Sequence, residues 1–167
     1  MIIVGIDPGL GGAIARLDTE MGVLSRLDDC PSIARDRGGR EVNEAVLATF
    51  FKALVGEPCH VFLERAQAMP KQGVSSCFNY GAGYGIYRGI VAAFELPLTL
   101  VSPAKWKREM NIGSDKGLAR RRASQLFPAS AALFSRKKDD GRAEAALIAY
   151  FGAQQLRILG EVKKVDE

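Results

Sequence analysis

Histidine and cysteine are scarce in this sequence, and their positions argue against several kinds of site. The one histidine, His60, lies at the start of a predicted strand, where we expect an exposed or hydrogen-bonded side chain rather than a catalytic base. The three cysteines, Cys30, Cys59 and Cys77, are odd in number and lack the paired CxxC spacing of zinc sites. We therefore expect three reduced, structural thiols.

Long apolar runs are also missing. No run approaches the roughly 18 residues that a membrane span needs, and Met1 leads directly into a strand without a charged leader. The chain has 167 residues, of which 47% are hydrophobic and 25% charged, a balance typical of one globular domain. We expect a single domain over residues 1–160, a frayed tail over 161–167, and a cytoplasmic protein that does not contact membranes.

The spacing of apolar and turn residues predicts a mixed α/β protein. Strands are predicted at 2–6, 13–17, 23–27, 59–63 and 98–101. Helices are predicted at 41–55, 75–95, 103–106, 116–126 and from residue 139 or 140 to 159, with a polar loop at 31–40. The glycines after Asp7 precede a strand instead of a helix, which argues against a dinucleotide-binding Rossmann fold.

Carboxylates occur where predicted strands end. Asp7 ends the first strand and is followed by Pro8-Gly9-Leu10-Gly11-Gly12, and Glu64 ends the apolar run of the fourth strand. An acidic side chain at the end of a buried strand is costly to desolvate unless cations or hydrogen-bond donors meet it. Asp140 and Glu144 are four residues apart and therefore share one face of the last predicted helix.

Four carboxylates brought together by the fold would need compensating positive charge. At an effective dielectric constant of about 20, each like-charge pair roughly 4 Å apart repels by about 4 kcal/mol. Hard divalent cations supply this compensation, and a set of oxygen ligands suits Mg²⁺ or Mn²⁺. A structural turn is the alternative role for Asp7 alone, but it does not account for the other three carboxylates.

Basic residues cluster late in the chain, although the net charge is only +4. Lysine and arginine around an acidic cation site are typical of proteins that act on phosphate polyanions, so we expect nucleic acid as the partner. Solvated helix faces are the alternative explanation. The candidate DNA-binding residues are Lys105, Lys107, Lys116, Arg120, Arg121, Arg122, Lys137 and Lys138.

Three acidic motifs, taken in order, give the sequence a resemblance to a known family. Ile6-Asp7-Pro8-Gly9, Leu63-Glu64 and the run from Asp140 to Ala145 resemble RuvC-type Holliday junction resolvases, and the last run is most similar to phage-encoded forms. The resemblance covers residues 2–157. It implies an RNase H-like α/β fold with a mixed five-stranded sheet, three antiparallel strands and then two parallel ones, flanked by helices. The first and fourth strands would be adjacent.

The resemblance implies an endonuclease that cleaves four-way (Holliday) or other branched DNA in recombination, repair or phage DNA processing. Two ions of Mg²⁺ or Mn²⁺, about 3.5 to 4 Å apart, would activate water and neutralise developing charge. We expect Asp7 to bridge both ions, Glu64 and Asp140 each to bind one, and Glu144 to complete the site, with Asp139 as the alternative to Asp140. A homodimer is implied because a four-way junction has two-fold character. A phage-encoded form would act in the host bacterial cytoplasm.

The sequence departs from the family pattern at two places. Where bacterial members often carry an aromatic wedge, three residues beyond Glu64, this chain has Gln67, with Met69 nearby. The last two acids are four residues apart instead of three, and a helical turn of 3.6 residues keeps either pair on one face. A nuclease acting on RNA/DNA hybrids or flaps, and a non-catalytic junction-binding protein, remain alternative functions. An actin-type ATPase would need two such domains and a much longer chain.

Aromatic residues leave two further alternatives open. Tyr80, Tyr84 and Tyr87 recur at helical spacing in the glycine-rich helix, which is a candidate dimer interface or an intramolecular packing surface. Trp106 is a candidate for stacking on a base, although packing in the core is the expectation we favour.

Overall fold

The computed structural model describes residues 1–36, 38–67, 73–113 and 115–157, without the side chain of Lys116. The predicted end of the domain at residue 160, the predicted tail 161–167 and Met69 lie outside these ranges. The strands are β1 (Ile2–Asp7), β2 (Ala13–Asp18), β3 (Val23–Asp29), β4 (Ser32–Ala34), β5 (Arg40–Val42), β6 (Cys59–Glu64) and β7 (Leu98–Val101). The α-helices are α1 (Glu44–Lys52), α2 (Val74–Ala93), α3 (Pro103–Glu109), α4 (Lys116–Leu126) and α5 (Asp140–Gln155).

Five strands form one mixed sheet in the order β3-β2-β1-β6-β7. Strand β2 runs antiparallel to both β1 and β3, whereas β6 runs parallel to β1 and β7 runs parallel to β6. The predicted architecture of three antiparallel strands followed by two parallel ones is confirmed, and the sheet is flanked by helices. The sheet is therefore that of an RNase H-like α/β fold.

The sheet separates two hydrophobic cores, because successive residues of a strand point to opposite faces. On one face, Ile2, Val4 and Ile6 pack with side chains from α1 and α2. On the other face, Ile3 packs with residues from α3, α4 and α5, among them Trp106, Ala123 and Phe151. Since both faces are covered, β1 is buried along nearly its whole length, which explains its continuous apolar run.

Helix α5 lies unusually close to the sheet. A Cβ atom at Gly5 in β1 would overlap the backbone of Ala145 and Ala149, so only glycine fits there. The helix contributes small buried residues to this contact, at Ala145, Ala146, Ala149 and Ala153. This close packing determines how near the first turn of α5 comes to the end of β1.

The structure differs from the predictions in two connecting segments. The predicted loop at 31–40 contains β4 and begins β5, and the two form a small antiparallel hairpin of their own. The helix predicted from residue 41 begins at Glu44, because Asn43 caps it by accepting a hydrogen bond from the Val46 amide. Within the described residues, no helix is both long and apolar enough to cross a membrane.

Candidate active site

Asp7 and Glu64 lie next to each other at the carboxyl ends of β1 and β6. Ile6 is paired with Leu63 in the parallel ladder, so the residues that follow each of them come together at the same edge of the sheet. Asp7 Oδ1 accepts a hydrogen bond of 3.2 Å from the Gly9 amide, which shapes the turn after the strand. The predicted adjacency of the two strands is confirmed.

Glu64 is buried and carries an unfavourable charge. Only 7% of the residue is exposed. Burial, followed by the nearby charges of Asp7 and Glu144, raises the pKa of Glu64 from its usual 4.5 to about 7. Lys107 lowers the pKa of Glu64. Trp106 also lowers it, because its Nε1 donates a 3.4 Å hydrogen bond to Glu64 Oε1. The site therefore favours any ligand that adds positive charge.

The start of α5 rests on the loop that follows Asp7. A Cβ atom at Gly141 would overlap the carbonyl oxygen of Gly11 and lie 2.6 Å from Gly12 Cα. This contact brings Asp140 and Glu144 to the same end of the sheet as Asp7. Glu144 is close enough to influence the pKa of Glu64.

Two of the predicted DNA-binding residues contact the predicted metal ligands. Lys107 Nζ lies 3.1 Å from Glu144 Oε1, and both side chains are largely buried. Arg120 forms an ion pair with Asp140 through Nη1 and Oδ1. These cations offset part of the negative charge that the fold collects at this edge.

Asp139 and Asp140 have different surroundings, and this difference bears on which of the two is the metal ligand. The Asp139 carboxylate accepts hydrogen bonds from the Arg136 backbone and guanidinium, with a shortest distance of 2.7 Å. These bonds hold the pKa of Asp139 at about 2. Asp139 is only 1% exposed, and its hydrogen bonds with Arg136 cap the turn before α5. Asp140, by contrast, is partly exposed beside Arg120.

The remaining predicted DNA-binding residues lie at the surface to different extents. Arg121, Lys137 and Lys138 are exposed, and Arg122 is partly buried. Lys105 is exposed and donates a hydrogen bond to Gln155. The side chain of Lys116 lies outside the described part of the chain.

Tyr80 and Trp106 contribute to the site in ways that the sequence did not indicate. Burial, and then the charges of Asp7, Glu64 and Glu144, raise the pKa of Tyr80, which places its hydroxyl in the field of these carboxylates. Trp106 is fully buried, so the expectation of packing is confirmed, and it also donates to Glu64. Neither role has a local sequence signal, because both depend on contacts between distant segments.

Tyr87, the three cysteines and His60 have the surroundings that the sequence predicted. Tyr87 is fully buried against the sheet, which confirms intramolecular packing for that side of α2. Cys30, Cys59 and Cys77 are free thiols. His60 Nε2 lies 2.8 Å from Thr99 Oγ1, so the ring is hydrogen-bonded, and burial lowers its pKa.

The chemistry of the site fits a hard divalent cation. Its candidate ligands are carboxylate oxygens, and because burial and the charges of Asp7 and Glu144 raise the pKa of Glu64, a cation beside Glu64 would be favoured. Within the described residues, however, no three acidic, histidine or cysteine side chains are already arranged to hold a metal ion. The ion pairs of Glu144 with Lys107 and of Asp140 with Arg120 are consistent with this finding.

Two solved structures of RuvC from Thermus thermophilus resemble this chain. One, in complex with a Holliday junction substrate, has a TM-score of 0.61 and 15% sequence identity, and the match covers 93% of this chain and 96% of that one. The second RuvC structure has a TM-score of 0.56 and 12% identity, with the same coverage of both chains. The chain shares the RuvC fold. No protein-family model and no curated protein matches the sequence. At this identity, the likeness to RuvC establishes the fold and carries no residue roles.

Proposed function

We propose that this protein is a metal-dependent endonuclease that cleaves four-way (Holliday) or other branched DNA junctions. The observation that carries the proposal is the grouping of Asp7, Glu64 and Glu144 at one edge of a sheet with the RuvC fold. The RuvC structure that contains a Holliday junction substrate supports branched DNA as the partner. The similarity of the run from Asp140 to Ala145 to phage-encoded forms supports phage DNA processing, in the host bacterial cytoplasm, as its setting.

Four carboxylates are proposed as ligands of Mg²⁺ or Mn²⁺. Asp7 is central because it lies between Glu64 and the loop on which α5 rests. Two bound ions would supply an activated water and neutralise charge on the leaving oxygen. Asp140, rather than Asp139, is the proposed fourth ligand, because Asp139 is buried and accepts several hydrogen bonds from Arg136, whereas Asp140 is partly exposed and pairs with Arg120.

The chain's own residues would orient and hold the substrate. Trp106 fixes one oxygen of Glu64, and the close contact of α5 with the Gly11-Gly12 turn keeps Glu144 near Glu64. Lys107 and Arg120 are positioned to contact phosphate when they leave their carboxylate partners. Exposed Arg121, Lys137 and Lys138, with Lys105, Arg122 and Lys116, would add phosphate contacts that contribute affinity more than sequence choice.

A homodimer is part of the proposal, because two strands must be cut to resolve a junction. Helix α2 offers the surface. Its face opposite the sheet exposes Val74 (87% exposed) and Phe78 (74% exposed). On that face Gly81, Gly85 and Gly89 have open space where a Cβ would be, so another helix can approach closely.

Asp7→Asn tests the proposal directly. The substitution preserves shape but removes the charge that the cations require, so cleavage of a four-way junction in Mg²⁺ or Mn²⁺ should be abolished. Binding to the junction, measured by mobility shift in Ca²⁺, should persist. Flaps and RNA/DNA hybrids are tested as substrates in the same cleavage assay. Preferential cleavage of these would favour the alternative function, a nuclease that acts on hybrids or flaps. A wild-type protein that binds junctions and cuts nothing would indicate a non-catalytic junction-binding protein.

A further inference from the structure

A cavity of about 680 Å³ lies beside the candidate active site, between the β4–β5 hairpin and helix α2. Pockets that hold small ligands typically range from about 300 to 1,000 Å³. The wall nearest the site is formed by Pro8 and Leu10, in the loop after Asp7, and by Tyr80. Tyr80 lies in the electrostatic field of the active-site carboxylates. The cavity therefore opens next to the place where the proposed function puts the scissile phosphate.

Hydrogen bonds fix the polar groups of this cavity. Arg35 donates from Nε to Glu41 Oε2 and from Nη1 to Asn79 Oδ1, each at 2.9 Å. Arg40 Nη2 donates to the carbonyl oxygen of Ser32 at 2.9 Å. These bonds join the two strands of the hairpin and connect the hairpin to α2. Because Asn79 Oδ1 accepts from Arg35, the NH₂ group of Asn79 is left as a hydrogen-bond donor for a ligand in the cavity. Fixed donors and acceptors of this kind suit the polar edge of a nucleobase.

The charge of the cavity favours a base over a phosphate. Its two guanidinium groups, on Arg35 and Arg40, are matched by the carboxylates of Glu41 and Glu44. A phosphate would be attracted by the two guanidinium groups but repelled by the two carboxylates, whereas a neutral heterocycle would meet no repulsion. Apolar atoms of Ala82 and Ile86 line another part of the wall and can pack against the face of a ring.

We infer that this cavity receives one unstacked nucleobase of the cleaved strand, adjacent to the scissile phosphate. The inference rests on the proposed function. Extruding a base costs least where stacking is already interrupted, as it is at the branch point of a junction. The cavity would act as a binding subsite that sets the position of the strand relative to Asp7, without touching the reacting atoms.

The subsite is compatible with the proposed dimer. On the α2 helix, the cavity residues Asn79, Gly83 and Ile86 lie on a different face from exposed Val74 and Phe78, whereas Ala82 lies one turn from Phe78, at the border of the two surfaces. A second protomer on the exposed face would therefore leave the cavity open to DNA.

Junctions with a single abasic nucleotide test this subsite. The abasic site is moved through the three positions on each side of the cleavage point, and cleavage rates are compared for wild type, Ala82→Trp and Asn79→Leu. Ala82 is an exposed residue of the cavity wall, so tryptophan fills the cavity without removing a native hydrogen bond. Ala93→Trp, at an exposed position near the end of the same helix, is the matched control. Thermal unfolding verifies that each variant is folded, and sedimentation equilibrium verifies that each has the oligomeric state of wild type, because Ala82 lies one turn from Phe78 of the proposed dimer surface.

We expect one position at which the abasic nucleotide lowers wild-type and Ala93→Trp cleavage about tenfold, a size typical of one lost base contact. Ala82→Trp and Asn79→Leu should cut the intact junction about tenfold more slowly and show no further loss at that position. In Ca²⁺, 2-aminopurine at the same position should change fluorescence on binding wild type but not Ala82→Trp.

Two results would contradict different parts of this inference. If wild type cuts junctions with the same abasic profile as Ala82→Trp, or with a flat profile, the subsite is wrong and the proposed function stands. If wild type cuts no branched DNA in Mg²⁺ or Mn²⁺, the proposed function is wrong and the subsite falls with it.

Discussion

Glu64 is placed where its own negative charge is disfavoured. It ends a largely buried strand, its neighbours Asp7 and Glu144 are acidic, and Trp106 is a hydrogen-bond donor to it. A protein selected for stability alone has little reason to keep an ionised carboxyl here. The arrangement is typical of a site whose unfavourable electrostatics are relieved by a bound cation.

The pH dependence of stability should reveal this unfavourable charge. The folded-state pKa of about 7 lies above the usual 4.5. The folded protein thus keeps a proton that the unfolded chain releases, and the free energy of unfolding falls as pH rises between these values. The fall should reach roughly 3 kcal/mol in metal-free buffer. Urea unfolding in EDTA at pH 5 and pH 8 measures it.

Glu64→Gln should remove most of this pH dependence and make the metal-free protein more stable at pH 8. Addition of Mg²⁺ should stabilise wild type and have a smaller effect on the variant, because a ligand that binds only the folded state raises its stability. Glu57→Gln, at an exposed position, is the control. An unchanged pH profile in Glu64→Gln would contradict this account of the site.

At the scale of elements, the packing of α5 decides which acids meet. The helix lies against β1 because Gly5 allows close approach, and its first turn is seated on the Gly11-Gly12 turn because Gly141 has no side chain. The positions of the Asp140 and Glu144 carboxylates therefore depend on Gly141 beside them and on Gly5, Gly11 and Gly12 far from them in sequence.

Gly141→Ala should displace the first turn of α5. The added methyl group would overlap Gly11, and overpacking of this kind costs about 1 to 3 kcal/mol. We expect a lower midpoint of thermal unfolding and weaker Mg²⁺ stabilisation. Gly113→Ala is the control, since the residue is exposed and its Cβ would meet nothing within 4 Å. Wild-type Mg²⁺ stabilisation in a folded Gly141→Ala protein would contradict the proposed dependence on helix position.

Under the proposed function, the ion pair between α4 and α5 would couple cation binding to DNA binding. Arg120 contacts Asp140, so a divalent cation bound there would compete with the guanidinium for one carboxylate. Arg120→Gln should therefore bind Mn²⁺ more tightly in calorimetry without DNA. The same variant should bind junctions more weakly in Ca²⁺, with a salt slope lower by about 0.9.

Arg121→Gln is the matched control for this coupling, because Arg121 is an exposed residue of the same helix. It should weaken DNA binding and leave Mn²⁺ affinity unchanged. Equal Mn²⁺ affinities for Arg120→Gln and wild type would show that Arg120 does not compete for the site.

At the scale of the whole molecule, the two faces of α2 have different partners. One face packs on the sheet through Tyr87 and Val91, and the other exposes Val74, Phe78 and a row of glycines. An exposed aromatic residue beside small residues is a surface suited to a second copy of the same helix.

Phe78→Asp should convert the proposed dimer to a monomer without unfolding it, because the residue is 74% exposed in the single chain. Sedimentation equilibrium measures the change. The monomer should nick one strand of a junction instead of making paired cuts. Val55→Asp, at a position 54% exposed after α1, is the control. A wild-type protein that is monomeric at all concentrations, alone and on DNA, would contradict the dimer.

Local patterns were sufficient to predict most of the fold. Buried strands such as β1 and β6 carry continuous apolar runs, and Pro103 follows Ser102 at the start of α3, so both kinds of element have signals within a few residues. The β4–β5 hairpin escaped prediction because its strands have three residues each and little apolar periodicity. The fold class and the four candidate carboxylates thus followed from the sequence and its resemblance to a family.

The sequence by itself determined that Asp7 and Glu64 end buried strands and that Asp140 and Glu144 share a helix face, because these facts depend only on local periodicity. Tertiary structure decided the rest. It gave Glu144 and Asp140 their partners Lys107 and Arg120, and it brought Tyr80 into the electrostatic field of the acids. Such contacts join residues far apart in the chain, and their strength depends on burial and distance, which no local pattern encodes.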